Sequence, residues 1–489
     1  MYKMNQEETP LFNALMEYVD RNTLPFHVPG HKKGVGIDSE FKNFIGANPF
    51  KIDVTVFKLV DSLHHPTGPI KKAQELAADA YGAEASFFSI NGTSGAIQAM
   101  IMSAVNDGDK IIVPRNVHKS ITAGIILSGA VPIFMQPELD KKLGIAHGVP
   151  PETVKRTLEE HPDAKAVLII NPTYYGVATD LKKIAEIVHS HNIPLLVDEA
   201  HGPHLAFSDK LPLSALEAGA DICAQSTHKI IGSLTQASLL HVNSKYISPK
   251  RVQQILNIIQ TTSPSYILMA SLDCARRQIA LEGNELLQKT IELCTYTRNE
   301  INKIPGFYCF GEEVLGMPGS YRFDPTKLTI SSRELGITGF ELDTILADKY
   351  HIQMELSDFY NVLAVGSFGD TKEGMDKLLK ALKEISAEYF ENKESIQDFL
   401  DIPAIPKKIL NPREAFYSDK VSIPIKESLG KISGEFLLAY PPGIPLLCPG
   451  EEITQDVLDY VEDLKRANLY VQGTEDPTVS NIKVVSINS

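Results

Sequence analysis

The tetrapeptide Ser226-Thr227-His228-Lys229 directly follows the apolar run Ile222–Gln225, which is typical of a buried β-strand. A lysine at the end of such a strand would lie at the edge of a sheet. Its amine can form a Schiff base there with a carbonyl cofactor. A lone lysine in this position is more often a solvated surface residue, so Lys229 gains weight only from other residues that indicate the same chemistry.

A buried acid precedes this lysine. Asp198 ends the apolar run 194–198, and a carboxylate at the end of a buried strand needs a partner. A protonated pyridine nitrogen is such a partner, and the pair would keep the ring cationic and electron-withdrawing. The alternative is an aspartate that caps the turn after the strand. Taken alone, that alternative is the more common one.

A third element is a run of small residues, Asn91-Gly92-Thr93-Ser94-Gly95, that opens a helix-like stretch over residues 96–105. Small side chains allow backbone N–H groups to approach an anion, and a helix N-terminus favours negative charge. The hydroxyls of Thr93 and Ser94 would add hydrogen bonds to a phosphate. Many such helix starts bind nothing, so this run also depends on the other two elements.

The segment that carries these residues alternates short apolar runs with amphipathic stretches, from about residue 80 to residue 245. Apolar strands separated by helices predict a parallel sheet covered on both faces, an α/β fold. Ligands of such sheets bind at the carboxyl ends of the strands, where Asp198 and Ser226 lie. The predicted strands are Lys110–Pro114, Val131–Met135, Ala166–Ile170, 194–198, Ile222–Gln225 and Ser238–Val242, and the predicted helices include Pro151–Glu160 and 181–191.

The remainder of the chain predicts smaller α+β regions. A long helical pattern covers residues 270–303, and an α+β stretch over 306–391 closes with a charged helix at 372–392. The Pro-rich segment 402–412 is predicted to be a linker into a final domain. That domain contains Tyr440-Pro441-Pro442-Gly443-Ile444-Pro445, which predicts a stiff loop rather than a helix or strand.

Composition excludes several classes of function. The 489 residues are 43% hydrophobic and 22% charged, which is typical of a globular protein of about three domains. A formal net charge of −14 disfavours binding to nucleic acid or to anionic membranes, because both require a basic surface. No apolar run is long enough to span a bilayer, and residues 1–22 lack the apolar core of a signal peptide.

The five cysteines are scattered and form no CxxC pair, which indicates neither a disulfide framework nor a zinc site. We therefore expect a cytoplasmic protein in a reducing compartment, with no metal, membrane or nucleic-acid partner.

The three chemical elements occur in one order on one predicted sheet: a phosphate cradle, a ring acid and a Schiff-base lysine. This combination resembles the aspartate-aminotransferase-like fold (fold type I) of enzymes that use pyridoxal 5'-phosphate (PLP). Motifs over most of the chain also resemble those of the ornithine/lysine/arginine decarboxylase family. They are Phe26-His27-Val28-Pro29-Gly30-His31-Lys32, Arg115-Asn116-Val117-His118-Lys119-Ser120, Asn171-Pro172-Thr173-Tyr174-Tyr175-Gly176, Ser226-Thr227-His228-Lys229 and the Pro-rich loop at 440–445.

The corresponding domain division is an N-terminal segment (1–45), a PLP-binding large domain (46–285), a small α+β domain (286–395) and a C-terminal domain (396–489).

The resemblance implies a role for each matching residue. Lys229 would hold PLP, Asp198 would pair with the pyridine nitrogen, and His118 would stack on the ring. His228 or Lys229 would act as the acid that protonates the α-carbon. Glu355 would meet the distal cation of the substrate, unless it is a solvated residue at a strand edge. The other residues that the resemblance places at the cofactor are Thr93, Ser94, Gly95, Ser226 and His228 around the phosphate, and Ala200 and His201 beside the ring.

The reaction implied is the PLP-dependent decarboxylation of a basic amino acid. Within the family the resemblance is greatest to bacterial members that convert L-arginine to agmatine and CO2 for putrescine and spermidine synthesis. No identified residue separates arginine from lysine or ornithine, so both of these substrates stay open. An aminotransferase fits less well, because the lysine motif and the Pro-rich loop match decarboxylases. A silent regulator that binds PLP or polyamines is the alternative of another class, against which Lys229 itself argues.

The resemblance also implies at least a homodimer, since family members build each active site at a subunit interface. Thr261-Thr262-Ser263-Pro264 would then reach the phosphate bound by the neighbouring subunit. The alternative for this segment is an ordinary polar loop after a helix.

Overall fold

A computed structural model describes residues 2–392, 402–439, 444–466 and 471–486. Helices and strands alternate through much of this range. None of the described helices combines the length and the apolar character that crossing a membrane requires. The α-helices of the described residues are α1 (Pro10–Asp20), α2 (Ser39–Ile45), α3 (Asn48–Ile52), α4 (Pro69–Tyr81), α5 (Gly92–Ala104), α6 (Lys119–Ser128), α7 (Pro151–Glu160), α8 (Leu181–Ser190), α9 (Pro249–Ile259), α10 (Tyr266–Ile301), α11 (Gly339–Tyr350), α12 (Lys372–Tyr389), α13 (Pro412–Tyr417) and α14 (Gln455–Arg466).

The strands are short, and the longest have five residues. Those of the described residues are β1 (Ala85–Ser89), β2 (Lys110–Pro114), β3 (Val131–Met135), β4 (Leu139–Asp140), β5 (Ile145–Ala146), β6 (Ala166–Ile170), β7 (Val177–Ala178), β8 (Leu195–Asp198), β9 (Ile222–Gln225), β10 (Ser238–Val242), β11 (Tyr308–Cys309), β12 (Arg322–Phe323), β13 (Lys327–Ser331), β14 (Leu356–Ser357), β15 (Asn361–Val365), β16 (Lys420–Pro424), β17 (Leu437–Ala439), β18 (Ile444–Leu447), β19 (Val471–Gln472) and β20 (Asn481–Val485).

Local sequence explains the helices that flank the predicted strands. The side chain of Asp180 accepts a hydrogen bond from the backbone N–H of Lys183, which caps α8 as predicted. The buried face of α8 is formed by Leu181, Ile184 and Val188, at helical spacing. Helix α7 begins at a proline, whose missing N–H costs nothing in a first turn.

The chain forms two compact units. The first consists of Met1–Ala104, Pro194–Gln288 and Ser367–Gly369. Its strands lie in the order β1-β10-β9-β8, with β8 and β9 parallel. Helix α5 packs on these strands, and α9 packs on α5. A core formed by α1, α4 and the start of α10, with Leu15, Ala77 and Met269 among its buried residues, holds this unit together.

The second unit consists of Val105–Ile193, Lys289–Gly366 and Asp370–Ser489. Its strands β6, β2 and β3 are parallel, with β2 in the middle. An antiparallel sheet in the order β11-β13-β15-β14 packs with α11 and α12 around a separate core. The last strands pair as β16-β20 and β18-β17-β19, and their core includes the buried face of α14.

Strand β10 differs from the parallel arrangement that the alternating pattern predicts. It runs antiparallel to both β9 and β1. Parallel neighbours require a long crossover, usually a helix, whereas the segment between β9 and β10 contains only the 3-10 turn Thr227–Lys229. The chain therefore returns directly beside β9, and β10 is an antiparallel strand in a sheet that was predicted to be mostly parallel.

The Pro-rich motif of the C-terminal region is only partly a loop. Tyr440–Gly443 lie outside the described residues. Ile444 and Pro445, which were predicted to belong to the stiff loop, instead begin strand β18. This strand lies at one edge of its sheet, and an edge tolerates a proline because it does not need every N–H.

The predicted linker at 402–412 is anchored at its end. Lys408 forms a β-bridge with Glu451, and the N–H of Leu410 donates to Gly450 O at 3.0 Å. Pro412 begins α13, which is capped by Asn411 and Glu414.

Candidate active site

Two adjacent parallel strands bring the predicted acid and the predicted lysine to the same edge. Asp198 is the last residue of β8 and lies opposite Ala224 of β9. Lys229 ends the 3-10 turn that follows β9. Because the carboxyl ends of parallel strands meet at one edge, both residues lie where α/β sheets bind ligands.

Asp198 is a buried carboxyl, with 4% of its surface exposed. Its Oδ1 accepts a hydrogen bond from the Ala200 N–H at 3.2 Å. Burial raises the pKa of Asp198 to about 6, although that hydrogen bond and the charge of Lys229 act in the opposite direction. The ionised carboxylate is therefore under-compensated by its surroundings, and a cation placed beside it would be stabilised.

The amine of Lys229 contacts an imidazole. Its Nζ lies 2.5 Å from His201 Nε2, within hydrogen-bonding distance. His201 is buried, whereas Lys229 is half-buried. The two nitrogens are placed to share one proton, and a lysine that gives its proton to a neighbour becomes a nucleophile.

The small-residue run forms the first turn of α5 rather than a loop before it. Gly92, the first residue of the helix, has a φ of +65°, a conformation that glycine adopts without strain. The Thr93 hydroxyl contacts the hydroxyls of Ser226 and Ser238, the latter at 2.8 Å. Ser94 is exposed in the same turn. The helix N-terminus is thereby tied to the segment that follows β9.

Gly95 is buried in the same turn, where a Cβ would lie 2.9 Å from the Asn91 Cβ. A larger residue would therefore displace the start of the helix.

The remaining residues of the lysine motif are held by the first unit. His228 Nδ1 lies 3.1 Å from the carbonyl oxygen of Ala237. A carbonyl only accepts, so Nδ1 donates and Nε2 is the nitrogen that carries the lone pair when the ring is neutral. Ser226 and Thr227 are buried, and the Thr227 hydroxyl has no hydrogen-bond partner within the described residues.

His118 belongs to the second unit, where it is the N-cap of α6. Its Nδ1 accepts from the backbone N–H of Ser120 at 3.2 Å and lies 2.7 Å from the Ser120 hydroxyl. The proton of the neutral ring is therefore on Nε2. The half-buried ring is oriented by the start of its own helix.

Glu355 also belongs to the second unit and is exposed. It directly precedes β14, the edge strand of its sheet, and its N–H donates to Leu363 O at 2.9 Å. No contact of this carboxylate with other predicted site residues is seen in the described chain.

Two loops of the first unit are joined at the surface. His64 Nε2 lies 3.0 Å from the carbonyl oxygen of Thr261, and the Asn257 side chain donates to the carbonyl of His64 at 2.9 Å. Thr261 and Thr262 are exposed. His64 thereby supports the Thr261 loop.

Sequence reasoning missed a buried network behind Asp198. Glu199 is fully buried and accepts hydrogen bonds from Gln225 Nε2 at 2.7 Å and from the Ala215 N–H at 2.6 Å. Gln225 in turn contacts His241, which contacts Ser86. Burial raises the pKa of Glu199 to about 8 and lowers the pKa of His241 to about 3. The only sequence signal was an acid beside Asp198 at the end of an apolar strand.

Among the described residues, no group of three or more His, Cys, Asp or Glu side chains is placed to hold a metal ion.

Comparison with known proteins gives one consistent result. The sequence profile described as "Orn/Lys/Arg decarboxylase, major domain" matches residues 9–374, and that of the "Orn/Lys/Arg decarboxylase, C-terminal domain" matches residues 395–476. The chain is 52% identical over 487 residues to the arginine decarboxylase of Bacillus anthracis, covering 99% of each chain. It is 50% identical over 483 residues to the arginine decarboxylase of Bacillus subtilis, again covering 99% of each.

The fold is similar to that of the Francisella novicida lysine decarboxylase LdcF. The TM-score is 0.85 at 24% identity, over 98% of this chain and 81% of the other. The predicted aspartate-aminotransferase-like α/β fold is thereby confirmed.

Proposed function

The chain belongs to the Orn/Lys/Arg decarboxylase family, and on that basis we propose that it decarboxylates L-arginine to agmatine and CO2 with PLP as its cofactor. The observation that carries the choice of arginine is the identity of about one half, over the full length, with relatives named arginine decarboxylase. The more distant relatives named lysine decarboxylase are 26–27% identical.

The residues at the end of β8 and β9 fit PLP, the cofactor of this family. Asp198 is a buried carboxyl whose raised pKa indicates that a cationic partner would stabilise its ionised form, as a protonated pyridine nitrogen does. The first turn of α5 offers backbone N–H groups and an exposed hydroxyl, on Ser94, to a phosphate. We propose that Lys229 holds the cofactor covalently through Nζ.

The other proposed contacts follow the same arrangement. Thr93, Ser94, Gly95, Ser226 and His228 would surround the phosphate, whereas His118, Ala200 and His201 would lie beside the ring. Gly95 would contribute to phosphate binding because it places no side chain at the start of α5.

When bound, PLP supplies an electron sink for the pair left on the α-carbon as CO2 leaves. The chain's own residues manage protons and orientation. His201 Nε2 would accept a proton from Lys229 Nζ, which leaves the amine neutral for attack. Asp198 would keep a positive charge at the ring nitrogen. Either the protonated His228 ring or Lys229 Nζ would give a proton to the α-carbon. His228 would give the proton from Nε2, because Nδ1 keeps its own proton in the hydrogen bond to the Ala237 carbonyl.

Selection of substrate would occur at the distal end of the side chain. A guanidinium is bound well by a planar carboxylate that accepts two hydrogen bonds, whereas an ammonium needs only a point contact. Glu355 is a proposed contact of this kind, and its exposed side chain is accessible to a ligand.

We further propose that the protein is a cytoplasmic homodimer that supplies agmatine to polyamine synthesis. Support for the dimer comes from the N-terminal segment of the first unit, where Phe26, Val35 and Phe44 are 90%, 83% and 91% exposed. So much exposed apolar surface is unusual for a monomer and suits a subunit interface. The Thr261 loop, supported by His64, would reach the phosphate of the neighbouring subunit.

We keep the division into segments 1–45, 46–285, 286–395 and 396–489 as a proposal. Its last boundary is supported by the start of the C-terminal family profile at residue 395.

The test of the reaction is CO2 release from arginine, lysine and ornithine in parallel, with added PLP. We expect release from arginine, loss of release in Lys229→Ala, and full activity in Lys250→Ala, which removes an exposed lysine of the same unit. A preference for lysine or ornithine would overturn the substrate but not the mechanism. If PLP binds, as its visible absorbance would show, and none of the three releases CO2, the chain is a regulator.

The shared site is tested by mixing Lys229→Ala chains with chains that carry Thr261→Ala and Thr262→Ala. Activity above that of either parent is expected, because a mixed dimer would contain one intact site. A mixture no more active than its parents would contradict the proposal.

A further inference from the structure

Arg115 directly follows β2, and its side chain is almost entirely enclosed by the C-terminal region of the second unit. It is 1% exposed. Its guanidinium donates to the carbonyls of Pro445 at 2.8 Å and Leu446 at 3.2 Å, and to both carboxylate oxygens of Glu451 at 2.6 and 2.7 Å. The face of the guanidinium lies 4.6 Å from the centre of the Phe134 ring. This bidentate hydrogen bonding between the guanidinium and the carboxylate fixes the orientation of the two groups as well as the distance between them.

Glu451 is as constrained as the arginine. It is 2% exposed, and its Oε2 also accepts the Cys448 N–H at 2.8 Å. Burial by itself lowers the pKa of Arg115, but Cys448 and Glu451 more than reverse this effect, so that the guanidinium keeps its proton. The two side chains neutralise each other's charge at this buried position.

The segment held by this pair leads into the turn of His118. Val117, which lies between Arg115 and His118 in the sequence, is buried, and His118 caps α6. The His118 carbonyl accepts from the Ile121 N–H at 2.9 Å, and its ring accepts from the Ser120 N–H. A change in the backbone at Arg115 would therefore be transmitted to the imidazole within one turn.

The far side of this turn is held by the same region. Helix α13, which begins the C-terminal part of the second unit, packs against α6. The His118 turn is thus fixed before the cap by Arg115 and after it by the packing of α13 on α6.

We propose that Arg115 and Glu451 are positioning residues for His118, through which the C-terminal region orients the imidazole that would stack on the cofactor. This inference rests on the proposed role of His118. It gives the region after residue 412 a function in the reaction, as the outer support of a residue that touches the cofactor.

The structure offers a matched control. Arg413, from the same region, lies 3.4 Å from Asp107, and both side chains are largely exposed. This ion pair lies beside Gly129, which follows the last turn of α6, at the end of that helix opposite to the His118 cap. Arg413→Ala therefore removes an exposed arginine–carboxylate pair of the same region and leaves Arg115, Glu451 and the buried residues of α13 in place.

The first experiment uses the full chain without cofactor and measures backbone amide exchange by mass spectrometry. In Glu451→Gln, the Ser120 and Ile121 amides should exchange at least about tenfold faster than in the wild type. In Arg413→Ala they should stay within about twofold, as should the amides of β8 in both variants. The Cys448 amide, which donates to Glu451, reports that the pair has been broken. If Cys448 exchanges faster while Ser120 and Ile121 do not, the proposal is wrong.

Glu451→Asp provides the same comparison if Glu451→Gln does not fold. It keeps the charge and shortens the side chain by one methylene, so a rise of about threefold in exchange is expected at the same two amides.

The second experiment measures PLP affinity and turnover. Glu451→Gln should weaken PLP binding by about tenfold and lower kcat by about tenfold, with KM for arginine within about threefold. Faster exchange at Ser120 with unchanged PLP affinity would overturn the link to the cofactor. A wild type that binds no PLP and releases no CO2 would instead refute the proposed function, and the exchange result would be read independently of it.

Discussion

The buried carboxyl of Asp198 allows the electrostatics of the candidate site to be tested without any ligand. We consider Asp198→Asn, which keeps the shape of the side chain and removes its charge. The pKa of Asp198 is raised from 3.8 to about 6 by burial, so the folded chain binds this proton more tightly than the unfolded chain. Ionisation of the carboxyl therefore destabilises the folded protein. This loss of stability is absent below the pKa that Asp198 has in the unfolded chain, and it is complete above the pKa that Asp198 has in the folded chain.

The size of the effect follows from the two pKa values. Each pH unit between them is worth about 1.4 kcal/mol. A rise from 3.8 to about 6 thus corresponds to about 3 kcal/mol of lost stability above pH 6. Asp198→Asn should recover this amount, and the recovery should grow from about 1 kcal/mol at pH 4.5 to about 3 kcal/mol at pH 7.5.

The assay is urea unfolding of the cofactor-free protein at several pH values, with Asp209→Asn, an exposed aspartate of the same unit, as the control. The variant should lack decarboxylase activity even though it is the more stable protein. Loading with PLP should stabilise the wild type more than the variant, because only a carboxylate pairs with a protonated ring nitrogen. A stability difference that does not change with pH, or a wild type that is the more stable form above pH 6, would refute the reasoning.

Three further substitutions test single contacts. Thr93→Val removes the hydroxyl that joins α5 to the strand ends and should lower the free energy of unfolding by about 1–3 kcal/mol. Thr93→Ser should keep most of this stability, and equal stability of the wild type and both variants would contradict the prediction. Tyr175→Phe removes the hydrogen bond to the buried carboxylate of Asp358, whose pKa burial has already raised to about 6, and should cost about 1–3 kcal/mol, more at pH 8 than at pH 5 in urea unfolding. Gly144→Ala places a Cβ 2.3 Å from a tyrosine ring at a φ of +69° and should lower Tm. Gly374→Ala, near the start of α12, should not, because its Cβ would lie at an ordinary contact distance of 3.6 Å from Thr371 Oγ1.

The strands that position the site were predictable because each is a short apolar run with a polar residue at its end. Ile222–Gln225 and the run ending at Asp198 were recognised in this way, and the structure has both as adjacent parallel strands. The cap of α8 by Asp180 was predicted from residue type and position alone. These are local properties, set by burial and by hydrogen bonding within a few residues.

Features that depend on distant contacts were not predictable. The direction of β10 follows from the connection that precedes it, which contains no crossover helix, and β1 was missed because its five-residue polar–aromatic pattern resembles many loops. Glu199 was visible only as an acid beside Asp198, since its partner Gln225 lies on another strand. The partner of Arg115 is 336 residues away in the chain, and no periodicity connects the two.

That separation has a consequence for synthesis of the protein. A ribosome that adds about 5–20 residues per second makes Arg115 roughly 15–70 s before the glutamate that neutralises it, 336 residues later. During this interval the guanidinium must stay in water, because enclosing an unpaired charge costs several kcal/mol. We therefore expect the turn that leads to His118 to close only after residue 451 has been made. A nascent or truncated polypeptide that lacks Glu451 would leave this turn open, although all the strands around Asp198 and Lys229 precede it in the chain.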